Sequence, residues 1–369
     1  MKKVLVICNL EMGGEEKMGS ELILNMDKTD LQVCFLCFGH KQGVFERKVI
    51  DDGNRVIHID SPKFPYLHYY RQLKEVQNKY GPFDVVHSHH LLNNGITLYF
   101  FHRLGVPKLI SHSHNTDSNR TPNLMTRIYE KEMKKLIKKY ATDFLACGQE
   151  AGVYLYGKEL FNKKGIIINN GINVDQFKFD EDVRNEYRDQ FELKDQFVIG
   201  NIARLEKVKN HLFLLDVFSE VVKKFPNSKL VIVGDGSYKE KIENRINDLN
   251  LNNKVLVLGA RSDIAKLQNM LDVIVYPSLY EGLPVSLVEA QQNNLPCVLS
   301  NNITTEVKIS ENVDFLDLDE GLDAWSNAIL KYNKGDGSRY INKTNAQAKK
   351  YDIKESSKVL RKIYLGDEI

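Results

Sequence analysis

Short Val/Ile/Leu-rich runs alternate with longer stretches of helical periodicity along almost the whole chain, and this alternation constrains the fold more than any other feature. The runs lie at 4–8, 31–38, 55–59, 84–88, 108–113, 143–147 and 165–169, then at 197–202, 229–233, 254–258, 272–276, 296–299 and 313–316. They are near-continuously apolar, as strands buried on both faces of a parallel sheet must be. Repeated strand–helix–strand units build parallel α/β sheets, and two sets of them predict two doubly wound, Rossmann-like domains. A length of 369 residues suits about two domains of ordinary size.

The polar helical segment DEDVRNEYRDQ at 180–190, followed by FELKDQ, separates the two sets. The domains are therefore placed at 1–194 and 195–351, with an amphipathic helix at 352–369 closing the chain. Lys plus Arg number 51 and Asp plus Glu 49, a balance that argues against a protein coating a polyanion such as nucleic acid. No apolar run approaches the ~18 residues of a membrane span. The opening MKKVLVICNL reads as a first strand rather than a signal peptide, because its short apolar run reaches Glu11 with no small-residue cleavage site. Cys34 and Cys37 form a CxxC inside LQVCFLCF, with no second pair and no histidine at zinc spacing. The five cysteines are read as buried, reduced thiols of a cytosolic protein.

Ligands of open α/β sheets bind at the carboxyl ends of the strands, so the residues there are the candidates for function. In DVIVYPSLYEGLPVSLVEAQQ (272–292), Glu281 follows a strand end, Gly282 lets backbone approach a ligand, and Leu283 and Pro284 open a helix. Helix N-termini favour anions such as a diphosphate. Glu289 lies eight residues after Glu281, and two spaced carboxylates can accept hydrogen bonds from two sugar rings. In NIARLEKVKN (201–210), Arg204 and Lys209 follow another strand end and can grip a diphosphate, as a fork and as a point charge. KLVIVGDGS ends its strand at Gly234, half of a dinucleotide fingerprint whose third glycine is missing. KVLVLGARSD places Gly259 and Arg261 at a further strand end, where backbone can read a base edge.

In the first domain, Gly13 and Gly14 follow the first strand and permit close backbone approach. His87, His89 and His90 cluster at one strand end, His112 and His114 at the next. Five histidines in two runs invite a zinc reading, but no HExxH or carboxylate accompanies them, so the reading is of hydrogen-bond donors to substrate and of no metal. In RIYEKEMKKLIKKY (127–140), Ile128, Met133, Leu136, Ile137 and Tyr140 form an apolar stripe among lysines. This is either a core helix with a solvated basic face or a foothold on an anionic membrane leaflet.

Taken together, these segments resemble glycosyltransferase family 4: retaining, nucleotide-sugar-dependent enzymes of the GT-B fold, of the kind that build bacterial surface polysaccharides. Glu281…Glu289 matches the family's E-x7-E motif, ARLEKVKN its diphosphate clamp, VGDG its nucleoside-side strand end, NNGIN (169–173) its interdomain segment, EMGG its glycine loop and SHSHN its first-domain histidine. The resemblance implies two Rossmann-like domains facing across a cleft, with the last helix crossing back to the first domain. It implies catalysis by Glu281, His114, Arg204 and Lys209, His112 being the alternative histidine. Donor binding falls to Gly13, Gly14, Arg204, Lys209, Gly234, Arg261, Glu281, Gly282, Leu283, Pro284 and Glu289, with Glu289 on the ribose. The clamp cations replace the metal of other transferases, so no metal or cofactor is expected beyond the nucleotide-sugar co-substrate.

The implied reaction moves a hexose or N-acetylhexosamine from a UDP-sugar to a growing surface polysaccharide or lipid-linked glycan, in the cytoplasm or at the inner face of the membrane. The acidic Glu15-Glu16-Lys17 after the glycine loop departs from the family pattern. Two D-x-D triplets, at 180–182 and 317–319, are read as chance likenesses to a metal motif. A nicotinamide-dependent oxidoreductase is the competing reading, opposed by the lack of a complete GxGxxG. A non-catalytic sugar-binding protein is opposed by the presence of both glutamates and both clamp cations.

Overall fold

A computed structural model describes residues 1–11, 14–115, 123–281, 283–334 and 350–368. All thirteen apolar runs form strands, and every ladder between them is parallel. The chain divides into two units, one of residues 1–171 with 353–369 and one of residues 172–352.

In the first unit, β1 (Lys2–Ile7), β2 (Leu31–Phe38), β3 (Arg55–Ile59), β4 (Val85–Ser88), β5 (Lys108–Ser113), β6 (Asp143–Ala146) and β7 (Gly165–Ile167) lie in the order β3-β2-β1-β4-β5-β6-β7. Successive residues face opposite sides of the sheet. Leu5, Ile7, Leu36 and Val86 therefore enter one core, and Val4, Val6, Phe35 and Val85 the other. The C-terminal helix Ile353–Leu365 belongs to this unit. Its Ile353, Leu360, Ile363 and Tyr364 complete the second of these cores, and Ser357 donates to the Leu22 carbonyl at 2.8 Å.

In the second unit, β8 (Phe197–Ile202), β9 (Ser228–Val233), β10 (Val255–Val257), β11 (Val273–Tyr276), β12 (Cys297–Ser300) and β13 (Val313–Leu316) lie in the order β10-β9-β8-β11-β12-β13. Strand order reverses between β8 and β11, the topological switch point where doubly wound sheets take their ligands. Val198, Ile274 and Leu299 face one core, Ile199, Val273 and Val298 the other.

The division lies at Gly171/Ile172, inside NNGIN, rather than near 195. The Ile172 amide bonds the Tyr351 carbonyl at 2.7 Å, beside the point where the chain leaves the second unit again. The polar segment that suggested a linker is the helix Glu181–Gln190, and two of its charges are interior. Arg184 and Arg188 both pair with the buried Asp272, at 2.5 and 3.3 Å. Asp272 also accepts from the Val198 amide at 2.7 Å, which ties the helix to the start of the switch-point strands.

Both D-x-D triplets are helix caps. Asp180 accepts from the amides of Asp182 and Val183, and Asp317 forms a reciprocal capping box with Glu320. The five cysteines are free thiols. Burial pushes the Cys37 thiol up to about 12, with the Glu46 charge adding to the shift. Among the described residues no helix is long and apolar enough to cross a membrane.

Replacing Asp272 with Ala leaves two guanidinium groups buried without their counter-charge. We expect the second unit to lose about 3–5 kcal/mol. The fluorescence of Trp325, the single tryptophan and a core residue of that unit, reads this in urea unfolding; an unchanged midpoint would show that the triad is not a stabilising element.

Candidate active site

The ladder between β8 and β11 covers only Ile199–Val273 and Gly200–Ile274. Beyond it the two strands are joined by side chains. Asn201 donates through Nδ2 to the Val275 carbonyl at 2.7 Å, and the Tyr276 hydroxyl donates to the Ile202 carbonyl. That hydroxyl has one proton, so it accepts from Ser286 Oγ, 2.8 Å away in the first turn of the helix Val285–Gln292. Burial holds the Tyr276 phenol well above its usual range, and the nearby charges of Glu281 and Glu289 act in the same direction.

The two loops that leave these strands are stitched together. The Leu279 amide bonds the Val208 carbonyl at 2.8 Å, and Asn210 Nδ2 bonds the Pro277 carbonyl at 3.0 Å. Asn210 takes the left-handed conformation (φ 57°), which turns the 3₁₀ segment Lys207–Lys209 into the next helix. This brings Lys209 Nζ onto Glu281 Oε1 as an ion pair, with the side chains only 14 % and 12 % exposed. Ser278 Oγ donates to the same carboxylate oxygen at 3.0 Å, and Glu281 bridges Ile303 through its backbone. His211 lies fully buried next in sequence, and burial, with the Lys209 charge, lowers it to about 4.

Arg204 is exposed on the same loop as Lys209. Its neighbour Leu205 is buried, and the Leu205 amide bonds the Asp235 carbonyl at 2.9 Å. Glu206 accepts from the amide and hydroxyl of Ser237, bonds that hold its carboxyl below the usual range. Gly234 has φ 147°, and a Cβ there would lie 1.9 Å from the Ala203 carbonyl oxygen. No side chain fits there beside the end of β8, so packing by itself requires a glycine at this position.

Arg261 is committed to Asp263 through two bonds of 2.9 and 2.6 Å. They hold Asp263 down to about 2, and Tyr187 bonds the same carboxylate. Glu289 is buried on the helix Val285–Gln292. Pro284 is the residue before that helix rather than part of its first turn, and Leu283 packs against the core beneath. Gly14 opens the helix Gly14–Leu24, whereas Gly13 and Gly282 lie outside the described residues.

The histidines of the first unit bind one another. His87 Nδ1 meets the Tyr364 hydroxyl at 2.7 Å and His87 Nε2 meets His112 Nδ1 at 3.2 Å. His89 Nδ1 meets His114 Nε2 at 2.8 Å. His87, His89 and His112 are fully buried, and His114 is half-buried. The ring nitrogens of His87, His89 and His112 lie within 4.8 Å of one another. His90 packs on the Phe38 ring, with centroids 4.6 Å apart.

Burial lowers these imidazoles, His87 to about 3 and His90 and His114 to about 4. Their substrate-donor role, expected for the whole cluster, is thus sterically open only where a ring is not interior. In the helix Leu124–Tyr140 the core face is Met133 and Ile137. Ile128, expected in the apolar stripe, is 51 % exposed beside exposed Leu124 and Met125.

Tyr276, Ser278 and Ser286 were not foreseen. A tyrosine inside an otherwise apolar buried run was the available signal, since a buried phenol needs a partner.

Two Rossmann-like units, with a lysine–carboxylate pair at the switch point of the second, match the arrangement expected of a glycosyltransferase of the GT-B fold. Residues 12–176 match the family Glycosyltransferase Family 4, and residues 183–356 match Glycosyl transferases group 1. The putative glycosyltransferase EpsF of Bacillus subtilis is 32 % identical over 98 % of this chain and 96 % of its own length. The chain therefore belongs to glycosyltransferase family 4.

The capsular polysaccharide biosynthesis glycosyltransferase CapH of Staphylococcus aureus is 25 % identical over 99 % of both chains. An Escherichia coli UDP-Gal:alpha-D-GlcNAc-diphosphoundecaprenol alpha-1,3-galactosyltransferase is 30 % identical over 68 % of this chain and 66 % of its own. Among solved structures, Anabaena HepE in complex with UDP superimposes with a TM-score of 0.78 at 17 % identity, covering 99 % of this chain and all of that one. At that identity the likeness is one of fold.

The neutral histidine array predicts acid sensitivity. An unfolded chain binds protons below about pH 6.5, whereas the buried rings of the folded chain resist them to about pH 4. Stability therefore falls as pH drops through that window. Urea unfolding followed by far-ultraviolet circular dichroism should show a lower midpoint at pH 5 than at pH 7; a flat profile would mean the rings are not held neutral.

Proposed function

We propose that this glycosyltransferase moves a hexose or N-acetylhexosamine from a UDP-sugar, with retained anomeric configuration, to a growing surface polysaccharide or lipid-linked glycan. The observation that carries the reading is the meeting of Lys209 and Glu281 in the loops that leave the β8/β11 switch point. Lys209, Arg204 and the N-terminus of Val285–Gln292 would hold the diphosphate and stabilise its charge as it leaves. They would do so without a metal ion or other cofactor. Both D-x-D triplets being helix caps supports that choice.

Glu281 would take hydroxyls of the transferred sugar, Glu289 the ribose, and backbone at Arg261 the base. Gly282, Leu283 and Pro284 would carry the loop beside sugar and phosphates, Gly234 would lie at the nucleoside-side strand end, and Gly13 and Gly14 would approach the donor phosphates or the acceptor. His114, the one ring of the bonded four that is not fully buried, would stand near the transferred sugar. Retention would follow a front-face route in which the leaving phosphate takes the acceptor proton. The acceptor class is supported by the names of the relatives, which include capsular polysaccharide and diphosphoundecaprenol enzymes.

Turnover of a panel of nucleotide sugars onto a lipid-linked acceptor tests this, with the product anomer read by NMR coupling constants. Transfer should favour UDP-sugars, retain configuration and survive EDTA. Arg204→Ala and Lys209→Ala should each cut turnover by roughly 10²–10³-fold. Near-normal transfer in both variants would remove the clamp.

We further propose that the enzyme works in the cytoplasm, at the inner face of the membrane. Exposed Leu124, Met125 and Ile128, beside Arg127, Lys131 and Lys135, would contact the anionic leaflet. In liposome flotation, binding should require anionic lipid and weaken in an Arg127→Glu/Lys131→Glu variant; flotation independent of lipid charge would remove this contact.

A further inference from the structure

The two side chains assigned to the two halves of the donor are partners of each other. Lys209 Nζ, which would hold the diphosphate, sits on Glu281 Oε1, which would hold the sugar. Both groups are mostly withdrawn from solvent, at 14 % and 12 % exposure, so salt and water screen the pair weakly. The geometry around them favours this pairing. Ser278 Oγ fixes the same carboxylate oxygen at 3.0 Å, and the Leu279–Val208 and Asn210–Pro277 bonds hold the two loops in register. The Glu281 backbone is tied to Ile303, so the carboxylate can leave Lys209 only by turning its side chain.

A phosphate oxygen that approaches this ammonium meets a carboxylate already there. Lysine has donors for both, but two anions on one half-buried cation repel each other. The carboxylate therefore has to give way, and what it gains elsewhere depends on the ligand. A nucleotide sugar brings hydroxyl donors to which Glu281 can turn. A nucleotide diphosphate without its sugar brings only the ribose hydroxyls, assigned to Glu289, and leaves the Glu281 carboxylate beside phosphate with no new partner. Specificity of this kind comes from a repulsion that only the wrong ligand suffers.

We infer that Glu281 competes with the diphosphate for Lys209, and so favours the nucleotide-sugar donor over the nucleotide diphosphate product and drives that product's release. The inference rests on the donor-site reading above. Its consequence runs against the usual effect of a binding-site substitution: removing the charge of Glu281 strengthens the binding of one ligand while impairing transfer.

Isothermal titration of the full chain with UDP and with GDP tests it. Glu281→Gln keeps the shape of the side chain and an acceptor for Ser278. It should bind whichever nucleotide binds the wild type about tenfold more tightly, the scale of a close charge pair. Ser278→Ala, which loosens the carboxylate from Lys209, should move affinity the same way by a smaller factor. Binding to Glu281→Gln that is equal to or weaker than wild type overturns the inference alone. Absence of binding of either nucleotide to the wild type overturns the donor-site reading and the inference with it.

Discussion

Beyond Gly200 the backbone ladder between β8 and β11 stops, and side chains take over the task of holding the strands. Parallel strands that part at a switch point expose carbonyls that a buried sheet cannot leave bare. Asn201 covers the Val275 carbonyl and Tyr276 covers the Ile202 carbonyl. Tyr276 also accepts from Ser286, so one phenol fixes the end of β8, the end of β11 and the first turn of Val285–Gln292. The loops carrying Lys209 and Glu281 leave from these fixed points. Their pairing follows from the splay and from the two stitches at Val208 and Pro277.

The strand ends of the first unit handle polar groups differently. There the imidazoles bond each other and Tyr364 of the C-terminal helix. The array stays neutral because burial outweighs every other influence on it. In the second unit Arg204 stays exposed and Lys209 keeps one carboxylate partner. One set of strand ends therefore carries an exposed arginine and a charged pair, and the other forms an interior network with His114 at its margin.

The strands were legible in the sequence because burial on both faces demands near-continuous apolar runs, and chain spacing then sets a doubly wound order. The positions of Arg204, Lys209 and Glu281 beyond strand ends, and of Glu289 on the helix that follows, came from the same reasoning. What was not legible depends on pairing across distance. DEDVRNEYRDQ reads as solvent-exposed until Asp272, more than eighty residues on, is seen to bury Arg184 and Arg188. The D-x-D triplets read as chance likenesses to a metal motif, and what they are, helix caps, shows only in their amide partners. Gly234 reads as a strand-end turn, but the Ala203 carbonyl lying where its Cβ would be could not be foreseen. Ile128 fits the period of the core stripe yet is exposed.

The central claim is that the β8/β11 switch point receives a nucleotide diphosphate on Lys209 without a metal ion. A crystal structure of the EDTA-treated protein with UDP tests it most directly. The account predicts the diphosphate within hydrogen-bond distance of Lys209 Nζ, beside the first turn of Val285–Gln292, with the Glu281 carboxylate turned away from the ammonium. A diphosphate bound elsewhere, or one that leaves the Lys209–Glu281 pair intact, would contradict it.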